Sequence, residues 1–182
     1  MAVLLLLTQE PLHPYGLRQR IRDWDKDRVI NVSQQNAIYQ TIDRLERSGL
    51  IRLRGTTRQA NRPDRTVYEA TDEGAATARR WLAEMLAAPT PEYPEFPAAL
   101  AFLTSLPRED GLAALRARVT ALDANLDRLA AEVADKVAQV PGGVDRVYLL
   151  EVEHQRTMWQ AERAWVRGVV RDLEAGRLAI DA

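Results

Sequence analysis

Between residues 33 and 47 of this chain, asparagine, glutamine and arginine recur at helical spacing. Wound about an apolar stripe of Ile38, Ile42 and Leu45, the stretch turns Ser33, Asn36, Gln40, Asp43, Arg44 and Arg47 outward and leaves Tyr39 at the rim. Asn and Gln present a donor and an acceptor side by side, which suits the edge of adenine, while Arg suits guanine or a phosphate. Such a face has the chemistry of a major-groove reader, its N-terminal half set for base edges and its arginines mainly for phosphates. Any surface helix shows polar groups outward, so the surrounding charge matters. Arg44, Arg47, Arg52, Arg54, Arg58, Arg62 and Arg65 stand against only Glu46 and Asp64, in a chain whose net charge is −1. The basic module is the candidate for contact with a polyanion.

Other chemistry is thin. Cysteine is absent, which removes disulfides, thiolate zinc sites and thiol nucleophiles and favours a reducing compartment such as the cytoplasm. The two histidines, His13 and His154, lie in different modules and read as surface or capping residues rather than metal ligands. There is no glycine-rich phosphate loop and no G-x-S-x-G. No catalytic residue, metal or cofactor is expected. The apolar run from Val3 to Leu7 lacks a basic flank and a cleavage site, so it reads as a short helix rather than a secretory signal, and no segment approaches membrane-spanning length.

The elements that must position the reading face follow from local signals. A second helix is expected over Pro14 to Asp23, with Leu17 and Ile21 at i, i+4, then a polar turn from Asp23 to Asn31. Ser33 caps the third helix and Ser48-Gly49 ends it. Leu50 to Arg54 alternates apolar with basic as a half-buried strand does, and Thr66 to Ala70 supplies a second strand. Between them Gly55 to Arg65 forms a wing whose tip carries Arg58 and Arg62. Thr71 caps a fourth helix through Trp81, Leu82 and Met85. These elements define a winged helix-turn-helix domain over residues 1–88.

Pro89, Pro91, Pro94 and Pro97 mark residues 89–97 as a stiff, non-helical linker. Past a short apolar element around Ala98 to Leu106, the residues Leu112, Leu115, Val119, Leu122, Leu126, Leu129 and Val133 form a heptad seam. Pro141-Gly142-Gly143 breaks it, and a last helix from about Val144 to Glu174 should fold back as an antiparallel hairpin, so residues 98–182 form a helical domain and the fold is mostly α. The last helix gathers Trp159, Trp165 and many valines on an arc too wide for one partner helix, which implies a second chain or a ligand. The seam and the two tryptophans are the expected dimer contacts. Glu151, Gln155 and Glu162 fall within that arc, where they pair with arginines across the dimer interface or sit at its rim; the sharper reading is a small-molecule effector site.

The stretches His13-Pro14-Tyr15, AIYQTIDRLERSGLI from Ala37 and NRPDRTVYEATDEG from Asn61, taken in order, resemble the hallmark segments of PadR-type transcriptional regulators. The stretches PEYPEFPAAL and ERAWVRGVVRDLEAG resemble the longer, Vir-like subgroup with a C-terminal helical domain, so the likeness runs along nearly the whole chain. The resemblance implies a dimeric repressor on a palindromic duplex, with DNA roles for Tyr15, Ser33, Asn36, Tyr39, Gln40, Arg58 and Arg62, and release by a small hydrophobic effector or a stress signal. Asn61 stands where the family commonly has Gly, a residue type that still tolerates positive φ. The alternatives are a winged-helix module that binds protein without DNA, and a small hydrolase or isomerase using Glu151 and Glu162, for which no base and orienter are visible.

Overall fold

The computed structural model describes residues 1–30, 35–57 and 65–180. Ser33, Arg58 and Arg62 lie outside the described residues. The chain divides into two compact units, Met1–Pro91 and Glu92–Ala182.

The first unit runs α1 (Ala2–Gln9), α2 (Pro14–Asp23), α3 (Gln35–Arg47), β1 (Ile51–Thr57), β2 (Arg65–Ala70) and α4 (Asp72–Ala87). α1 is apolar nearly all round because Val3, Leu4, Leu6 and Leu7 all enter the core, where they meet Leu17 and Ile21 of α2, Ile38, Ile42 and Leu45 of α3, and Ala78 of α4. The start of α2 is fixed by His13, whose Nδ1 accepts the Gly16 N–H at 2.7 Å, and by Pro14, which has no N–H to leave unpaired in the first turn. The polar turn after α2 contains one tight 3₁₀ turn, Lys26–Arg28, entered through Asp25 in the left-handed region. α3 stops at Gly49, whose positive φ of 69° lets the Leu50 N–H donate back to the Leu45 carbonyl at 3.0 Å.

β1 and β2 pair antiparallel, with Ile51 opposite Ala70 and Arg52 opposite Glu69. The register slips between Leu53 and Gly55, so Arg54 is the extra residue of a β-bulge. Leu12 adds an isolated bridge to Tyr68, closed by hydrogen bonds of 3.0 Å in both directions, and this ties the entrance of α2 to the wing. Thr71 caps α4 by accepting the Gly74 N–H at 3.0 Å, and the same hydroxyl donates to the Gly49 carbonyl at 2.9 Å. The end of α3, the root of the wing and the start of α4 therefore meet at one hydroxyl.

The second unit holds α5 (Glu95–Leu100), a 3₁₀ turn at Leu103–Ser105, α6 (Arg108–Ala138), a 3₁₀ turn at Arg146–Leu149, and α7 (Leu150–Glu174). Two expectations are corrected here. Pro97 lies inside α5 rather than in a non-helical linker, because it occupies the first turn, where backbone N–H groups have no partner within the helix and a missing one costs nothing. The last helix begins at Leu150, not near Val144: Gly142 and Gly143 both take positive φ, and the chain spends Arg146–Leu149 in a 3₁₀ turn before the α-helix starts. Part of the heptad seam is covered within the chain, while Leu126 and Val133 are half-buried. Leu115, Leu122 and Leu129 are buried, and Leu115 packs in one cluster with Val166 and Leu173 of α7 and with Ile180. Ion pairs set the hairpin register, with Asp123 taking Arg163 and Arg167 at 2.7 Å each and Arg116 meeting Glu174.

Candidate nucleic-acid interface

The orientation of α3 is decided by its apolar stripe. Ile38, Ile42 and Leu45 are each at most 6 % exposed, so the opposite face must look away from the core. Asn36, Gln40, Asp43 and Arg47 lie on that face and are exposed, each about one turn from the next. The Arg47 guanidinium bonds back to the Asp43 carbonyl at 3.2 Å, which holds it along the helix near its C-terminal end, where a cation also suits the dipole. Tyr39 is at the rim as expected, 46 % exposed. Arg44 is exposed but stands on the flank nearer the start of α1: the Met1 amine is held below its usual range first by burial and then by the Arg44 charge.

Tyr15 lies in the first turn of α2, 60 % exposed, its ring centroid 6.2 Å from that of His13. Tyr15 comes three residues after Leu12, which is bridged to Tyr68, so it is not carried on a free loop. On β2 the Tyr68 hydroxyl is raised above its ordinary range by burial first, then by the carboxylates of Glu46 and Asp43. Tyr68 thus stays a neutral hydroxyl at any ordinary pH.

Two features of this surface escaped the sequence reading. The Leu12 bridge is one, since a single long-range pairing leaves no local periodicity. The other is the wing stem, where Arg52 and Arg54 both reach one carboxylate, that of Glu69, at 2.9 and 3.3 Å. The i, i+2 spacing of the arginines was visible; their common partner across the strand pair was not.

In the second unit Glu162 pairs with Arg118 of α6 in its own chain, not with an arginine across an interface, because the antiparallel hairpin brings those two side chains side by side. The Arg118 guanidinium also lies 3.5 Å from the Phe96 ring centroid, and Phe96 meets Trp165 edge to face at 6.4 Å. Glu151 and Gln155 are half-buried on α7, as is Trp159. Trp165 and Met158 are each 52 % exposed. Among the described residues no group of acidic or histidine side chains is arranged to hold a metal, and no helix is long and apolar enough to cross a membrane.

The chain matches the transcriptional regulator PadR-like family over residues 3–80. No curated protein matches it in sequence. Among solved structures it is similar to Bacillus subtilis PadR in complex with operator DNA, at 20% identity and a TM-score of 0.73, covering 94% of this chain and 97% of that one. It is likewise similar to Bacillus subtilis PadR in complex with p-coumaric acid, at 17% identity and a TM-score of 0.73, covering 95% and 96%. The Vibrio cholerae virulence activator AphA matches at 19% identity and a TM-score of 0.66, covering 95% and 96%. At these identities the likeness to solved structures establishes the fold, a winged helix-turn-helix followed by a helical hairpin.

Proposed function

From a chain whose residues 3–80 form a PadR-like transcriptional regulator domain, we propose a cytoplasmic, sequence-specific DNA-binding regulator that acts as a homodimeric repressor. The observation that carries this reading is the fixed roll of α3. Its buried stripe leaves Asn36 and Gln40 exposed one turn apart on the face opposite the core, and that is the pair able to make two-point contacts with base edges. Tyr39 and Arg44 flank that face and, with the exposed Tyr15 at the start of α2, take phosphate or sugar contacts in this reading. Ser33, Arg58 and Arg62 join them by the resemblance in sequence.

The dimer contact is assigned to the side of α7 that its own hairpin leaves uncovered, centred on Met158 and Trp165 with Trp159 beside them. Leu115, Leu122 and Leu129 support that contact indirectly by setting the shape of the hairpin. Bacillus subtilis PadR has been seen with operator DNA and with p-coumaric acid, which supports extending both classes of partner to this chain. A small hydrophobic effector on the α7 face by Glu151 and Gln155 would shift the dimer and release DNA; Glu162 is held by Arg118 and serves as a wall of that site.

The test is selection of bound fragments from the source genome, followed by measurement of the selected duplex. Recovery of a palindromic element is the expected result. Recovery of no enriched sequence, with no duplex binding at low salt, would contradict the reading and leave a winged-helix module that binds protein.

A further inference from the structure

We propose that Arg52, Arg54 and Glu69 on the wing stem form a phosphate contact with a built-in competitor, in which Glu69 positions both guanidiniums and contends with the DNA backbone for them. The inference rests on the DNA-binding reading and adds to it a site and a control on affinity.

The geometry is specific. Ile51 is 2 % exposed and faces the core, so its neighbour Arg52 faces outward, directly across the ladder from Glu69. Arg54 is the bulged residue and has none opposite it, yet its Nη1 returns to Oε2 of the carboxylate whose Oε1 already takes Arg52 Nε. A bulge re-aims a side chain at the cost of ladder pairing. Here the re-aimed side chain adds a second cation to an anion that already has one.

Exposure argues against a purely structural ion pair. The side chains of Arg52 and Arg54 are 67% and 59% exposed, against 21% for Glu69, so an approaching anion meets guanidinium first and carboxylate behind it. Exposed pairs contribute at most about 1 kcal/mol to stability, too little to explain two arginines on one carboxylate. The group carries a net charge of +1, and the bond from Arg52 to Glu69 uses Nε. The terminal nitrogens of that fork have the planar geometry that suits a phosphate. The partner this fits is the backbone of a duplex crossing the wing root, which contributes affinity without reading sequence.

The experiment measures binding of full-length wild type, Glu69→Gln, Arg52→Gln and Arg54→Gln to a random-sequence duplex between about 50 and 200 mM salt, with melting curves alongside. Each phosphate contact contributes a slope of about 0.9 in log K against log salt, a three- to fourfold change over that range. Either arginine variant should flatten the slope by up to about 0.9 and bind more weakly. Glu69→Gln should bind about two- to fivefold tighter at the low-salt end, the magnitude of one exposed ion pair, with a steeper slope. A damaged wing cannot imitate that gain, so the sign separates the proposal from simple unfolding. If the wild type binds duplex but Glu69→Gln binds no tighter and the arginine variants keep the wild-type slope, the competitor site is wrong while the DNA reading stands. If the wild type itself does not bind duplex, both fall.

Discussion

Replacing Gly74 with alanine should break the joint that orients the wing. Gly74 sits in the first turn of α4, where alanine has the higher helix propensity by about 1 kcal/mol, so local reasoning expects a more stable protein. The structure reverses the sign. A Cβ on Gly74 would lie 1.9 Å from the Leu50 carbonyl oxygen and 2.9 Å from its carbon, and the obstacle is backbone, which cannot swing aside as a side chain can. Relief requires α4 to move away from Leu50 by about 1 Å, an overpacking displacement that costs roughly 1–3 kcal/mol. That movement also strains the Thr71 bonds to the Gly49 carbonyl at 2.9 Å and from its N–H to the Leu50 carbonyl at 3.0 Å. Each such bond contributes about 0.5–1.5 kcal/mol, so after the propensity gain the net loss should be about 1–5 kcal/mol. Urea denaturation of the full chain, followed by far-UV circular dichroism, measures it. Gly55→Ala is the control, since a Cβ there meets nothing. A Gly74→Ala variant as stable as wild type would refute the packing of α4 on the end of α3 and the wing root.

Asn36→Ala and Gln40→Ala should each reduce discrimination at one symmetric pair of operator positions by about five- to hundredfold, from the roughly 1–3 kcal/mol of a two-point base contact, with random-duplex affinity nearly unchanged. If both variants keep the operator preference in a competition assay, base reading lies elsewhere on the helix. Trp165→Asp combined with Met158→Asp should give a folded monomer by sedimentation, whereas Leu122→Asp, at a buried position, should unfold the hairpin. A Trp165/Met158 variant that remains dimeric would place the contact on another face. Asp123 is held below the usual carboxylate range chiefly by its hydrogen bond from Arg163, then by the charge and hydrogen bond of Arg167. Its stabilising effect is full above the ordinary Asp value and fades as pH falls through the lowered one, so Asp123→Asn should flatten acid destabilisation of the hairpin; an unchanged pH profile would mean the triad contributes nothing.

The parts of the fold legible in sequence are those whose cause is local. Pro14 and the i, i+4 pair Leu17 and Ile21 gave both limits of α2, and Thr71-Asp72-Glu73 marked the start of α4 because cap and dipole act within one turn. The roll of α3 was equally legible, since three apolar residues at i, i+4 and i+7 leave only one face to bury. What sequence concealed was the partner. A heptad seam says that a face is covered but not by what, and here α7 of the same chain covers Leu115. Glu162 could be placed on an apolar arc, yet its arginine lies in another helix, at Arg118. Pro97 misled because its penalty depends on position within the helix, and Arg54 because a bulge is a property of two strands together.

The central claim is that the first unit reads DNA, and the most direct measurement is the affinity of wild-type protein for its selected duplex and for a random duplex across a salt series. The account predicts that log K falls linearly with log salt for both, and that the selected duplex is bound at least about a thousandfold more tightly at physiological salt. Equal affinity for the two duplexes, or binding indifferent to salt, would contradict it.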